Sequence, residues 1–291
     1  MEKAAANGIH IEYETFGDSA ARPLLLIGGL ADQLIHWDDE LCRDLSERGH
    51  YVIRFDNRDA GLSTKFDQEG VPDLGALARG EKGPPYTLED MADDAVGLLD
   101  ALDVRKAHIC GASMGGMIAQ TIAIRYPSRI LSLISIYSTT GNRDLPPPKP
   151  EMMERLRAPA PPVREAYIKY MVDLFKAMAG PGFAFDEAWT RMITARAYDR
   201  SFSPQGTMRQ IAAIMTQTDR KKALASVTVP TLVIHGTDDP VVPMEAGKDT
   251  AEAIPGSRLM LIEGMGHDLP HAGAWPRIVE AIAAHTLRAI A

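Results

Sequence analysis

Cysteine is scarce. The 291 residues hold two, Cys42 and Cys110. Two thiols make no disulfide framework, and neither has the spacing of a zinc site. Cys110 falls in an apolar run and reads as a small buried apolar thiol. Positive charge is also in deficit, with 31 Lys and Arg against 39 Asp and Glu and a formal net charge of −8. Such a chain is a poor partner for nucleic acid or an anionic membrane. No apolar run approaches the roughly 20 residues needed to cross a bilayer. The opening MEKAAANGIHIEYETFG lacks the charged, apolar and cleavage regions of a signal peptide. Together these absences predict a cytoplasmic protein with no nucleic-acid or membrane partner; none of them decides between monomer and homodimer.

What remains is ordinary globular composition, 45% hydrophobic and 24% charged, with length for a substantial core and no internal repeat. IHIEYETF (9–16) alternates as a half-buried strand does, whereas PLLLIGG (23–29), YVIRFD (51–56), AHIC (107–110) and ILSLISIY (130–137) are continuous apolar runs, the mark of strands covered on both faces. Helical patterns lie between them: about 37–48, 87–102 behind a Thr87/Asp90 capping box, and from Met114 to Tyr126, stopped by Pro127. This alternation predicts an α/β fold, a mostly parallel sheet flanked by helices. The rhythm breaks over 143–218, which opens on the proline-rich linker LPPPKPEMMERLRAPAPP and continues as helical stretches. It resumes with VPTLVIHG, a helix near 246–253, RLMLIE and a helix near 276–289. The expected organisation is a core of 1–142 and 219–291 with a helical cap, 143–218, over the carboxyl ends of the strands, where such sheets bind ligands.

Gly111-Ala112-Ser113-Met114-Gly115 fits G-x-S-x-G between a predicted strand and a predicted helix. In that turn a serine projects from the sheet edge under backbone strain, and only small residues fit beside it. Ser113 is therefore a candidate nucleophile. It needs a base, and of eight histidines His267 is favoured because LIEGMGHDLP follows the last strand and two glycines free its backbone; His271 is the rival. His10, His36, His50, His108 and His285 read as ordinary residues, and His235 as a prop for the GTDDP loop. The orienting carboxylate belongs to IHGTDDPVVP, where Asp238 and Asp239 compete. The order Ser…Asp…His is that of α/β-hydrolases. An oxyanion needs two backbone donors. The Met114 amide follows the nucleophile, and the Leu30 amide lies in GGLADQ, where Gly28 and Gly29 let the chain approach substrate.

Taken in order, PLLLIGGLADQ, YVIRFDNRDAGLST, GASMGGMIAQTIAIRYPSRI, PTLVIHGTDDPVVP and IEGMGHDLP resemble the α/β-hydrolase superfamily over nearly the whole chain. The R-x-D-x-R-D-x-G-x-S-T stretch at 54–64 is similar to the esterase branch that includes aclacinomycin methylesterase. The resemblance implies Asp239, which precedes P-hydrophobic-x-P, as the third triad member, and His267 as base. Two departures stand out: Gly28-Gly29 replaces the usual His-Gly, and the cap is similar only in placement and helical character. Asp56, Arg58 and Asp59 read as loop braces.

The expected activity is carboxylic ester hydrolysis through an acyl-enzyme on a small-molecule ester, without metal or cofactor. Methylesterase, perhydrolase (cofactor-free haloperoxidase), lactonase and carbon–carbon hydrolase chemistry use the same machinery, while a serine at 113 argues against dehalogenase and epoxide hydrolase chemistry. A ligand receptor on the same fold is the alternative of a different class. Met171, Phe175, Met178, Phe183, Phe185, Trp189 and Met192 are candidates to line an apolar pocket, beside Gly29.

Overall fold

Five strands whose residues are almost all buried run through the centre of the molecule, which is why their sequences are apolar on both faces. The computed structural model describes residues 1–158, 160–270 and 273–289. Its eight strands are β1 (Glu2–Ala6), β2 (Ile9–Phe16), β3 (Arg22–Ile27), β4 (His50–Phe55), β5 (Ala107–Ala112), β6 (Ile130–Ile136), β7 (Thr231–Gly236) and β8 (Arg258–Ile262). They form one sheet in the order β1-β2-β4-β3-β5-β6-β7-β8. The β1–β2 and β2–β4 pairs are antiparallel and the rest parallel. The helices are α1 (Asp39–Glu47), α2 (Leu74–Ala78), α3 (Leu88–Ala101), α4 (Met114–Arg125), α5 (Pro150–Arg157), α6 (Arg164–Met178), α7 (Glu187–Arg200), α8 (Pro204–Met215), α9 (Lys221–Leu224), α10 (Met244–Ala253) and α11 (Trp275–Arg288).

The period of two along each strand sorts the core into two layers. Leu25, Ile27, Ile53, Ile109 and Leu133 face α3 and α4. Their neighbours Leu24, Leu26, Val52, Cys110, Ile134 and Ile136 face α1 and α11. Helix α3 starts as its sequence predicts: Thr87 Oγ1 accepts from the Asp90 amide (3.2 Å), and Asp90 Oδ2 accepts from the Thr87 amide (2.8 Å). No helix among the described residues is long and apolar enough to cross a membrane.

Two expectations need correction, and one strand is unforeseen. The N-terminal EKAAA, which has no strand signature, is strand β1, paired with β2 and tied by the Tyr13 hydroxyl donating to Glu2 (2.8 Å). The expected helix at 37–48 begins at Asp39, because Asp38 caps it by accepting from the Glu40 amide (2.7 Å), and Leu34–His36 forms a separate 3-10 turn. The proline-rich linker contains α5, whose Pro150 sits in the first turn, where a missing N–H costs nothing.

Among the described residues, 143–218 holds four helices and no strand. Its contacts fall on loops at the carboxyl edge of the sheet. Gln33 Nε2 donates to the Ala197 and Ser201 carbonyls (2.7 and 2.9 Å), Trp189 Nε1 to Asp38 (3.0 Å), and the Gly182 amide to Gly264 (2.8 Å).

The loop after β4 is held by buried ion pairs. Arg58 bonds both oxygens of Asp94 (2.6 and 2.8 Å), and Arg209 of α8 bonds both oxygens of Asp59 (2.8 Å each). Asp56 accepts from the Leu34 and Leu62 amides and from Arg200 (2.7 Å each). All three residues act as braces. Burial pushes the Asp59 carboxyl up, and its bonds from Arg209, the Phe66 amide and the Tyr86 hydroxyl outweigh burial and hold it below the ordinary carboxylate range. Such a group contributes stability above its unfolded pKa and loses it as pH falls toward the folded one. Removing one member of a buried pair strands the other charge, so Arg209→Met is expected to cost about 3–5 kcal/mol at pH 7. The deficit should shrink in acid, below the ordinary carboxylate range near about pH 4, because a protonated Asp59 is no longer a stranded charge. Urea unfolding at both pH values checks this; an equal deficit at both would mean that lost packing, not the stranded charge, sets the cost.

Candidate active site

Ser113 stands between β5 and α4 at φ 53° and ψ −119°, a left-handed φ that a residue with a Cβ rarely takes. The turn is fixed by its neighbours. The Ser113 amide donates to Ile136 (3.0 Å), and its carbonyl accepts from the Gly116 amide (2.9 Å) and the Ser138 hydroxyl (2.8 Å). The glycines are required by contact: a Cβ at Gly111 would lie 2.0 Å from the Gly115 carbonyl oxygen, and one at Gly115 would lie 2.1 Å from that of Ile27. Those obstacles are backbone and cannot swing aside. Gly115→Ala is therefore expected to cost about 3 kcal/mol, the upper end of ordinary overpacking, and to depress activity with it. A thermal melt within a degree or two of the unmodified protein would contradict this close packing.

His267 Nε2 lies 2.9 Å from Ser113 Oγ, and His267 Nδ1 lies 2.7 Å from Asp239 Oδ2. A carboxylate only accepts, so Nδ1 carries the imidazole proton and Nε2 is left to accept from the serine hydroxyl. Asp239 Oδ1 accepts from the Val241 and Val242 amides, both at 2.8 Å. Of the two aspartates that compete in the sequence, Asp239 meets His267; Asp238 accepts from Thr237 (2.7 Å). His271 lies outside the described residues. His235 Nε2 donates to the Val242 carbonyl (2.8 Å), so it does prop that loop, and burial pushes its pKa down. His36 is closer to the site than its sequence position suggests: it stands in the turn after β3, with Nδ1 accepting from the Gln33 amide (2.9 Å).

The glycines before His267 serve a purpose beyond loop freedom. Gly264 does take a left-handed φ of 72°. Gly266, however, allows a close crossing, since a Cβ there would lie 2.1 Å from the Met178 carbonyl oxygen. The His267 amide donates to that same carbonyl (2.8 Å), fixing the histidine to the end of α6.

Gly29 abuts the serine: a Cβ on it would lie 3.3 Å from Ser113 Cβ and 2.9 Å from Asp32 Oδ2. Leu30 follows it in the loop after β3, and Met114 is the first residue of α4. Among the described residues, neither the Leu30 nor the Met114 amide donates to a protein acceptor. Met171, Phe175, Met178, Phe183, Phe185 and Trp189 are half-buried. Phe183 packs on the layer under α11, and Trp189 on Leu34, Ile35, Ile193 and Ala197. Met192 is 51% exposed and points to solvent, which removes it from any lining.

The motifs do not single out Tyr137, whose ring packs on that of His267 at 4.6 Å between centroids, or Asp268, whose carboxyl burial pushes up to about 6. Tyr137 directly follows β6, so the rule that favours residues just past a strand also marks it. Asp32 and Gln210, which hold the loop after β3, give no such signal. Among the described residues no group of three His, Cys, Asp or Glu side chains is arranged to hold a metal ion.

Comparison with known proteins defines the kinship. The family described as the alpha/beta hydrolase fold matches residues 22–274. Rhodomycin D methylesterase DauP of Streptomyces sp. (strain C5) is 33% identical, covering 94% of this chain and 93% of its own. The 3-oxoadipate enol-lactonase 2 of Acinetobacter baylyi is 25% identical over 89% of this chain and 86% of its own. An esterase from Rhodococcus sp. ECU1013 has the same fold, with a TM-score of 0.75 at 22% identity over 98% of both chains. The chain is a hydrolase and belongs to the alpha/beta hydrolase fold family.

Proposed function

We propose that the protein is a serine carboxylesterase acting on small to medium apolar esters. The observation that carries this reading is the unbroken hydrogen-bonded chain Ser113–His267–Asp239 at the carboxyl edge of the sheet. Ser113 Oγ attacks the ester carbonyl carbon as its proton passes to His267 Nε2. Asp239 holds the imidazole and favours its cationic form. The carbonyl oxygen, now an anion, is met by the amides of Leu30 and Met114 and by the N-terminal end of α4. Collapse of this intermediate breaks the ester C–O bond, and His267 returns its proton to the leaving alcohol. Water then attacks the acyl-enzyme by the same route and releases the acid.

The helices of 143–218 act as a cap in this reading. Met171, Phe175 and Met178 of α6, whose last turn touches His267, supply an adaptable apolar wall. A methyl ester is the second reading, favoured by the 33% identity to a protein named as a methylesterase.

The test combines rates on p-nitrophenyl esters from acetate to dodecanoate, rates on carboxylic methyl esters, and labelling with a fluorophosphonate. We expect turnover that falls off at long acyl chains, and a single adduct on Ser113 by mass spectrometry. Methyl esters outpacing the acyl series would favour the second reading. Absence of both turnover and adduct would overturn the esterase reading, and one turnover followed by trapped product would make the protein a receptor.

A further inference from the structure

Three successive amides line the loop that follows β3 toward Ser113, and the outer two are tied down by side chains. The Gly29 amide donates to Asp32 Oδ2 at 2.8 Å, and the Ala31 amide donates to Gln210 Oε1 at 2.8 Å. Between them the Leu30 amide has no protein acceptor among the described residues. Peptide units are planar and linked by only two soft dihedrals. Fixing the units on either side therefore also fixes the direction of the middle N–H. Ala31 sits at φ 61°, which its Cβ disfavours, so the loop needs an outside hold to keep this shape.

Gln210 is suited to be that hold. It is fully buried, and it lies on α8, 179 residues along the chain from Ala31. Its Nε2 donates to the Arg58 carbonyl at 2.8 Å, which orients the side-chain amide and turns Oε1 toward Ala31. The preceding residue, Arg209, is locked to Asp59. Helix α8 is thus anchored on the loop after β4 and reaches from there to the loop after β3.

We propose that Gln210 is a positioning residue that sets the Leu30 amide toward the ester oxyanion. The inference rests on the esterase reading above. It makes α8 part of the rigid support of the site, although the helix lies in the segment between β6 and β7.

The experiment compares Gln210→Met, similar in size but without the hydrogen bonds, with Gln210→Glu, which keeps an acceptor for the Ala31 amide. The readouts are kcat and KM on the best p-nitrophenyl ester and the affinity of a trifluoromethyl ketone, whose serine adduct carries the same oxyanion. A donor displaced by a fraction of an ångström predicts a kcat loss of about tenfold to a hundredfold for Gln210→Met, with KM changed less than about threefold. Inhibitor affinity should fall by the same factor as kcat, and Gln210→Glu, which keeps the acceptor for Ala31 but loses the donor to the Arg58 carbonyl, should recover part of both. A loss of folded protein alone would not make these two quantities move together. Unchanged kcat in Gln210→Met, or lost kcat with inhibitor affinity intact, would overturn the proposal while wild-type turnover keeps the esterase reading. If Gln210→Met does not fold, Gln210→Glu decides: inhibitor affinity reduced out of step with kcat overturns the proposal. A wild-type protein without turnover or label would overturn both.

Discussion

Ser113→Ala is expected to lower kcat on an activated ester by about a millionfold, the scale on which loss of a triad nucleophile is felt in serine hydrolases. The physical reason is that, among the described residues, no other hydroxyl bonds His267 Nε2. A Cβ on Gly29 would already lie 3.3 Å from Ser113 Cβ, and His267 Nε2 is 2.9 Å from Oγ. The substitution removes one hydroxyl and leaves the bonds of the Ser113 backbone to Ile136, Gly116 and Ser138 in place. The melting temperature should therefore move by no more than a few degrees, which separates lost chemistry from lost fold. His267→Ala should cost nearly as much, and the double variant little more than either, because the two groups act as one unit. Residual hydrolysis within about tenfold of wild type would remove Ser113 from the chemistry, since positioned amides alone leave only a small fraction of a triad's rate.

How far the sequence discloses this molecule depends on how local each cause is. Strands β3 to β7 are legible because burial on both faces leaves an apolar run. Strand β1 is not, because EKAAA has neither branched nor aromatic residues and owes its conformation to its pairing with β2. Helix α5 is hidden behind prolines, yet a proline in the first turn is compatible with a helix.

The same division runs through the site. Ser113, Asp239 and His267 each follow a strand, so a parallel sheet delivers all three to one edge, and local motifs are enough to place them together. Gln210 contacts Ala31 across 179 residues, and nothing near either residue marks that contact. The glycines at 264 and 266 are visible in sequence, but their second role is not. Gly266 lets the chain before His267 cross the end of α6, and Gly264 lets it pass Gly182, at distances that no Cβ allows.

Asp239→Asn is expected to lower kcat by about ten-thousandfold with the fold intact, for a reason specific to how the carboxylate is held. Its Oδ1 faces two donors, the Val241 and Val242 amides, each at 2.8 Å. An asparagine must turn its carbonyl oxygen to those amides, which aims its NH2 group at His267 Nδ1. Two donors cannot face each other, so the imidazole shifts its proton to Nε2 and Nδ1 becomes the acceptor. Nε2 then has no lone pair for the Ser113 proton, and the base is lost although every atom is close to its original place. His235 offers no replacement, because its Nε2 is 3.6 Å from Asp239 Oδ2 and already donates to Val242. The control is Asp238→Asn. Asp238 is half-buried and bonded to Thr237, so kcat should stay within about threefold of wild type, the usual range away from the chemistry. Measured side by side on one ester, a collapse in Asp239→Asn alone assigns the orienting carboxylate. A collapse in Asp238→Asn alone would transfer that role one residue back and show that the loop after β7 takes another conformation when substrate binds.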